Sequence, residues 1–212
     1  MNIKAAAAAA VLVATLTSAV PSAGAAATDA RVAVSWHPQM APMSGPVEGA
    51  SAHLVRTGNG ISYSLHATNL VAGHSYTLWQ VVVNNPAACD PRPCTAPDIL
   101  GNPDADGQVS YAAGHVTGGR GQATLAGSQR VGAIPEGWLD DRGLVDPMGA
   151  EVHLVLNDHG PALAELMPEM IHTYRGGCSD SSPFPPIFPP KAIADGQVGP
   201  NTCRLTQVAV FA

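Results

Sequence analysis

A chain of 212 residues with ten Lys and Arg against 16 Asp and Glu carries a net charge of −6, which repels nucleic acid and anionic lipid. Only 12% of residues are charged, while glycine (22) and proline (19) are frequent. That composition argues against salt-bridged helices and for a turn-rich, all-β domain.

In chain order, Lys4 precedes an apolar stretch from Ala5 to Val20, and Ala23, Gly24 and Ala25 then form an Ala-x-Ala site. This is the pattern of a secretory signal peptide over 1–25, with cleavage expected near Ala25 and a single mature domain over 26–212. Loss of Lys4 leaves nine basic residues against 16 acidic ones, a net charge of −7. The first cysteine is Cys89, so no lipid-attachment site follows the signal, and no later run is long enough to span a bilayer. The expectation is a soluble protein of the periplasm or extracellular space, with no transmembrane segment.

Period-two alternation then recurs between turn signals, predicting strands near 31–36, 50–57, 61–67, 75–83, 108–116, 121–130, 150–156 and 203–211. TGNGI (57–61) reads as a type I′ hairpin turn centred on Asn59 and Gly60. That register sets Leu54 opposite Leu65, Arg56 opposite Tyr63 and His53 opposite His66. In NPDADGQVS (102–110), Asn102, Asp104 and Asp106 imitate the opening of a calcium loop, but Ala113 stands where the bidentate glutamate belongs. An acidic turn accounts for the same residues. GWLDDRGLVDPMG (137–149) reads as a solvated surface loop. PALAELMPEMIHTY (161–174) predicts one short helical segment near 161–172, interrupted at Pro168. SSPFPPIFPP (181–190) reads as an extended, polyproline-like spacer.

Four cysteines in an exported chain favour two disulfides over a metal cluster. The expected pairs are Cys89 with Cys94, around DPRP, and Cys178 with Cys203, closing the proline-rich loop at 178–203.

The chemistry-bearing candidates are mostly histidines. His53 and His66 share one sheet face in the hairpin, within reach of one ion whether directly opposite or diagonal. EVHLVLNDHGP (151–161) is read as a strand that turns Val152, Leu154 and Leu156 inward and Glu151, His153 and Asn157 toward solvent. Asp158 and His159 belong to its exit turn. A metal-binding reading would recruit His53, His66, His153, Asp158 and His159 as ligands for copper or zinc. None of the eight histidines lies two residues from another, so the H-x-H pair of copper-zinc superoxide dismutases is missing and only the architecture is comparable. No nucleophile elbow or phosphate loop is present, and no catalytic residue is assigned.

In NLVAGHSYTLW (69–79), Leu70, Gly73 and Tyr76 follow the spacing L-x-x-G-x-x-Y ahead of an alternating strand. This resembles the tyrosine corner of fibronectin type III and immunoglobulin-like sandwiches, which implies a phenol hydroxyl bonded to backbone just upstream. With its short cysteine loop and HLVLNDHGP strand, the chain also resembles a loose set of uncharacterised secreted bacterial and archaeal β-sandwich proteins. The expectation is an antiparallel two-sheet, immunoglobulin-like sandwich of about 7–9 strands. Its expected role is noncatalytic binding of an unknown protein or small ligand, or structural, with no resident cofactor. Metal binding is the alternative.

Overall fold

In the computed structural model, which describes residues 27–212, each of the eight alternating runs forms a strand. The expected signal peptide lies outside the described residues. In chain order the strands are β1 (Thr28–Trp36), β2 (Pro46–Thr57), β3 (Gly60–Ala67), β4 (His74–Val83), β5 (Gly107–Val116) and β6 (Ala123–Arg130). A two-residue pair, β7 (Gly132–Ala133) with β8 (Gly143–Leu144), follows, and then β9 (Glu151–Pro161) and β10 (Arg204–Phe211).

The all-β class holds, but the eight long strands are not divided between two facing sheets. They form one antiparallel sheet in the order β5-β4-β9-β10-β1-β2-β3-β6, curled until its edges, β5 and β6, nearly close a barrel. Inward residues fill the interior: Leu54, Leu65, Leu78, Leu154 and Leu156 are fully buried, with Tyr63, Val82 and Phe211 among them. Near the open seam, Gln80 on β4 donates to Ser110 Oγ on β5 (2.8 Å) and to Gln129 Oε1 on β6 (3.3 Å).

The first hairpin departs from the expected register by two residues. Thr57 pairs with Gly60, Leu54 with Tyr63 and His53 with Ser64, so His66 sits opposite Ser51. The Thr57 hydroxyl accepts from the Asn59 N–H (3.3 Å), an arrangement that places Gly58 and Asn59, rather than Asn59 and Gly60, at the turn. Gly60 is needed for a different reason, since at φ +154° any Cβ there would lie 2.3 Å from the Gln129 carbonyl on β6. Arg56 does face inward, at one end of the barrel. Its guanidinium donates to the carbonyls of Ala150 (2.6 Å), Pro147 (3.0 Å) and Phe211 (3.4 Å).

Three long connections, 84–106, 131–150 and 162–203, lie against the outside of β5, β4, β9 and β10. The first carries helix α1 (Ala96–Gly101) and the third carries α2 (Met167–Met170) and α3 (Pro190–Ile193). Disulfides Cys89–Cys94 and Cys178–Cys203 close loops in the first and third. Two loop expectations change here. The 137–149 segment is not simply solvated, because Trp138 and Leu144 are buried. The proline-rich segment is an anchor rather than a spacer, since Phe184 and Phe188 pack on Tyr174 at 5.3 Å between ring centroids.

At the start of β4, the Val71 N–H donates to the Tyr76 hydroxyl (3.0 Å), which donates in turn to Asp158 Oδ2 on β9 (3.1 Å). Leu70 is buried beside it, and Gly73 takes φ +75° in the turn. Tyr76 is 1% exposed, whereas Val71 lies at the surface and Asp158 is half-buried. Replacing Tyr76 with Phe should lower stability by about 1–2 kcal/mol in urea denaturation, because the buried hydroxyl's bonds to Val71 and Asp158 are both lost. An unchanged midpoint would show that the hydroxyl contributes nothing.

Candidate functional site

The arrangement of the site begins with alternation on β4 and β9. Tyr76, Leu78, Gln80 and Val82 point into the barrel, so Thr77, Trp79, Val81 and Val83 must point out. These outward residues are apolar or buried polar, and the same is true of Glu151, His153, Asn157 and His159 on β9. Strand pairing places them in rows across four strands. One row runs Val210, His153, Val81, Val109 from β10 to β5, and the next runs Val208, Val155, Trp79, Tyr111.

Over these rows the connections lay an aromatic roof. Trp138 packs on Trp79 (5.1 Å between centroids), Tyr174 (4.8 Å) and Phe188 (5.1 Å), and Tyr174 meets Trp79 edge-on at 5.4 Å. Between floor and roof remains a cavity of about 430 Å³, lined by Val81, Val155 and Val208 below, by Trp138, Tyr174 and Phe188 above, and by Ile99 and Leu100 of α1 at the side. The lining contains no Lys, Arg, Asp or Glu.

Two histidines bring polarity to it. His37, at the β1 end, accepts the Gln39 N–H at Nδ1 (3.2 Å), so its proton sits on Nε2. Burial pushes its pKa down to about 4. His153 Nε2 lies 2.7 Å from Glu151 Oε1, which also accepts the Cys94 N–H at 2.7 Å. Burial alone would raise the Glu151 carboxyl. Hydrogen bonds from His153 and Cys94, with the charge a protonated His153 ring carries and then that of Arg92 3.9 Å away, outweigh burial and hold it below its ordinary value. The carboxylate is therefore ionised and acceptor-only, which forces the His153 proton onto Nε2. Nδ1 makes no hydrogen bond among the described residues.

One row further along β9, His159 is fully buried under the third connection. Its Nδ1 donates to the Gly176 carbonyl (2.8 Å), and its Nε2 accepts from the Thr77 hydroxyl (2.7 Å), which accepts from Trp79 Nε1 (2.9 Å). Asn157 donates to the Tyr174 carbonyl nearby (3.1 Å). His159, Cys178 and Cys203 are close enough together to suggest a metal cluster, the one such group of three among the described residues. Both sulfurs are spent in the disulfide, however, and both ring nitrogens are spent on protein partners.

The five metal candidates from the sequence stand apart. His53 turns to Asp29 (2.8 Å) and His66 to Thr124 (3.0 Å), while His153 faces the cavity. Asp158 accepts from Tyr76 and from the Gly160 N–H and pairs with His74 (2.9 Å). His159 is the buried anchor described above. The calcium-like turn is self-satisfied, with Asn102 Oδ1 accepting the Asp104 N–H (3.0 Å) and Asp106 accepting from Asn84 (2.9 Å). The direction of Glu151, His153 and Asn157 agrees with the sequence, but the face they occupy is covered rather than wet. Trp79, Val81, Tyr174 and Phe188 are not among the candidates the sequence suggests, although SYTLWQVVV carries apolar residues on both parities, the mark of a doubly buried strand.

Burial pushes the His159 pKa down to about 4, against the opposing pull of Gly176 and Asp158. An unfolded histidine titrates at about 6.5. Between those values the unfolded chain takes up a proton that the folded one refuses, so stability is fully present above about pH 6.5 and falls toward about pH 4. The contribution is on the order of 3 kcal/mol, and His37 acts in the same direction. Urea denaturation at about pH 7 and about pH 4.5 should show that His159→Gln loses less stability on acidification than the parent. An equal loss in both proteins would remove His159 from the account. No protein-family model, curated protein or solved structure gives a significant match to this chain.

Proposed function

We propose that this chain is an exported, noncatalytic binding domain that holds a small apolar molecule between the outside of its barrel and the connections packed over it. The observation that carries this reading is the cavity of about 430 Å³ with a valine floor and an aromatic roof. Binding sites for small molecules fall in the range of about 300–1,000 Å³, are mostly apolar, and carry a few placed polar groups. Here those groups include His37, His153 and Trp138, whose Nε1–H has no partner among the described residues. Both disulfides secure connections that form the cover, which suits an oxidising compartment, and no helix among the described residues is long and apolar enough to cross a membrane. The metal-binding alternative has less support, because its five candidate side chains stand in separate places with partners of their own.

N-phenyl-1-naphthylamine, whose emission rises in apolar surroundings, tests the reading directly. It should bind saturably, with about one equivalent per chain and a Kd on the order of micromolar. Val155→Trp, which fills the floor from a half-buried position, should abolish the signal while leaving the thermal midpoint within a few degrees. Binding that is absent, or indifferent to that substitution, would refute a ligand site here.

A further inference from the structure

The chemistry of the walls narrows what the cavity takes. Resting on the binding role proposed above, we infer that the natural ligand is a neutral, ring-containing molecule bearing a hydroxyl, which donates its hydrogen bond to Nδ1 of His153.

Three observations lead there. The Glu151 carboxylate, 0% exposed, takes the Nε2–H of His153, so Nδ1 is the nitrogen left over, and in a ring carrying that one proton it is an acceptor. That nitrogen has no partner among the described residues, although its ring is 7% exposed and lines the cavity. A ligand hydroxyl would satisfy it, whereas a hydrocarbon would leave it desolvated and unpaired.

Charge removes the obvious competitor. A fatty acid or other carboxylate would need a cation, yet the lining has no Lys or Arg, and burial keeps the His37 ring neutral near pH 7. The charge nearest His153 is the negative one on Glu151, with Arg92 half-exposed 3.9 Å beyond it. An anion entering this site would lose its water and meet repulsion. The ring preference comes from Trp79, Trp138, Tyr174 and Phe188, since aromatic pairs gain beyond the area they bury.

Glu151 serves as a positioning residue, because it sets the tautomer without lining the cavity.

Calorimetric titration at about pH 8 with naphthalene, 2-naphthol and 2-naphthoate separates this inference from the reading beneath it. If neither naphthalene nor 2-naphthol binds, the binding role itself fails, whereas 2-naphthol binding without naphthalene upholds the hydroxyl assignment. If naphthalene binds, 2-naphthol should bind roughly fivefold tighter and 2-naphthoate weakest of the three. His153→Phe should bring naphthol and naphthalene to equal affinity while naphthalene still binds, and His153→Met provides a smaller apolar replacement should the first not fold. Equal affinity for naphthol and naphthalene in the parent protein, or naphthoate as the tightest ligand, would overturn the hydroxyl assignment.

Discussion

Two neighbouring strands of this barrel have no wet side, and the rest of the molecule is arranged around that fact. β4 is buried along nearly its whole length, and β9 shows the same pattern up to Gly160. A strand in a single-layer barrel has one face toward the interior, so its other face must be covered from outside. The cover has little regular structure of its own, only short helical turns. Its order comes from cross-links, ring packing and hydrogen bonds made from below. The polar residues of β9 act as pins: Glu151 holds the first connection at the Cys94 N–H, while Asn157 and His159 hold the third at the Tyr174 and Gly176 carbonyls. Each pin sits where a solvent-facing residue would normally stand, and each makes a hydrogen bond to backbone distant in sequence, although Glu151 Oε2 and Asn157 Oδ1 stay without a hydrogen-bond partner among the described residues.

Because the interior is filled, the apolar cavity lies between the layers. Eight-stranded barrels are about the size that side chains alone can fill, and this one is packed with leucine, valine and tyrosine. Its inward polar groups are occupied in structural work: Arg56 caps one end through three carbonyls, and Gln207 donates to the Thr68 carbonyl at 2.7 Å. Connections over a rigid sheet are where binding residues usually collect. Here the sheet supplies a fixed floor and the connections supply the aromatic rings, so differences in the loops would alter the cavity without disturbing the barrel.

The sequence discloses the strands through a local period of two, and the cysteine pairing through the short spacing of Cys89 and Cys94, which leaves Cys178 and Cys203 to each other. It is less informative about the outer layer. His153, Asn157 and His159 are residue types that ordinarily face water, and nothing within ten positions of them indicates that backbone from the 84–106 and 162–203 connections will cover them. The apolar signal lies in the neighbouring strand, where Trp79, Val81 and Val83 alternate with Leu78 and Val82. The expected hairpin register fails for a related reason. Asn59–Gly60 is a strong turn dipeptide, but Gly60 is needed for the close approach of β6, and the Thr57 hydroxyl organises a turn one residue earlier. The metal reading does not gather its ligands because histidines on one face choose partners by side-chain geometry, which strand pairing alone does not determine.

The Glu151 carboxylate joins the cover and the cavity in one atom. Its Oε1 accepts both the Cys94 N–H and the His153 Nε2–H, each at 2.7 Å. Ionised carboxylates in dry surroundings are costly unless hydrogen-bonded, so neither donor can leave without leaving charge poorly paired. The position of the Cys89–Cys94 loop and the orientation of the His153 ring are therefore linked. A group bound at Nδ1 polarises the ring, strengthens the Nε2–H bond to Glu151, and through the shared oxygen bears on the loop at the cavity's edge. One buried charge thus fixes both the orientation of a cavity-lining ring and the position of part of the covering.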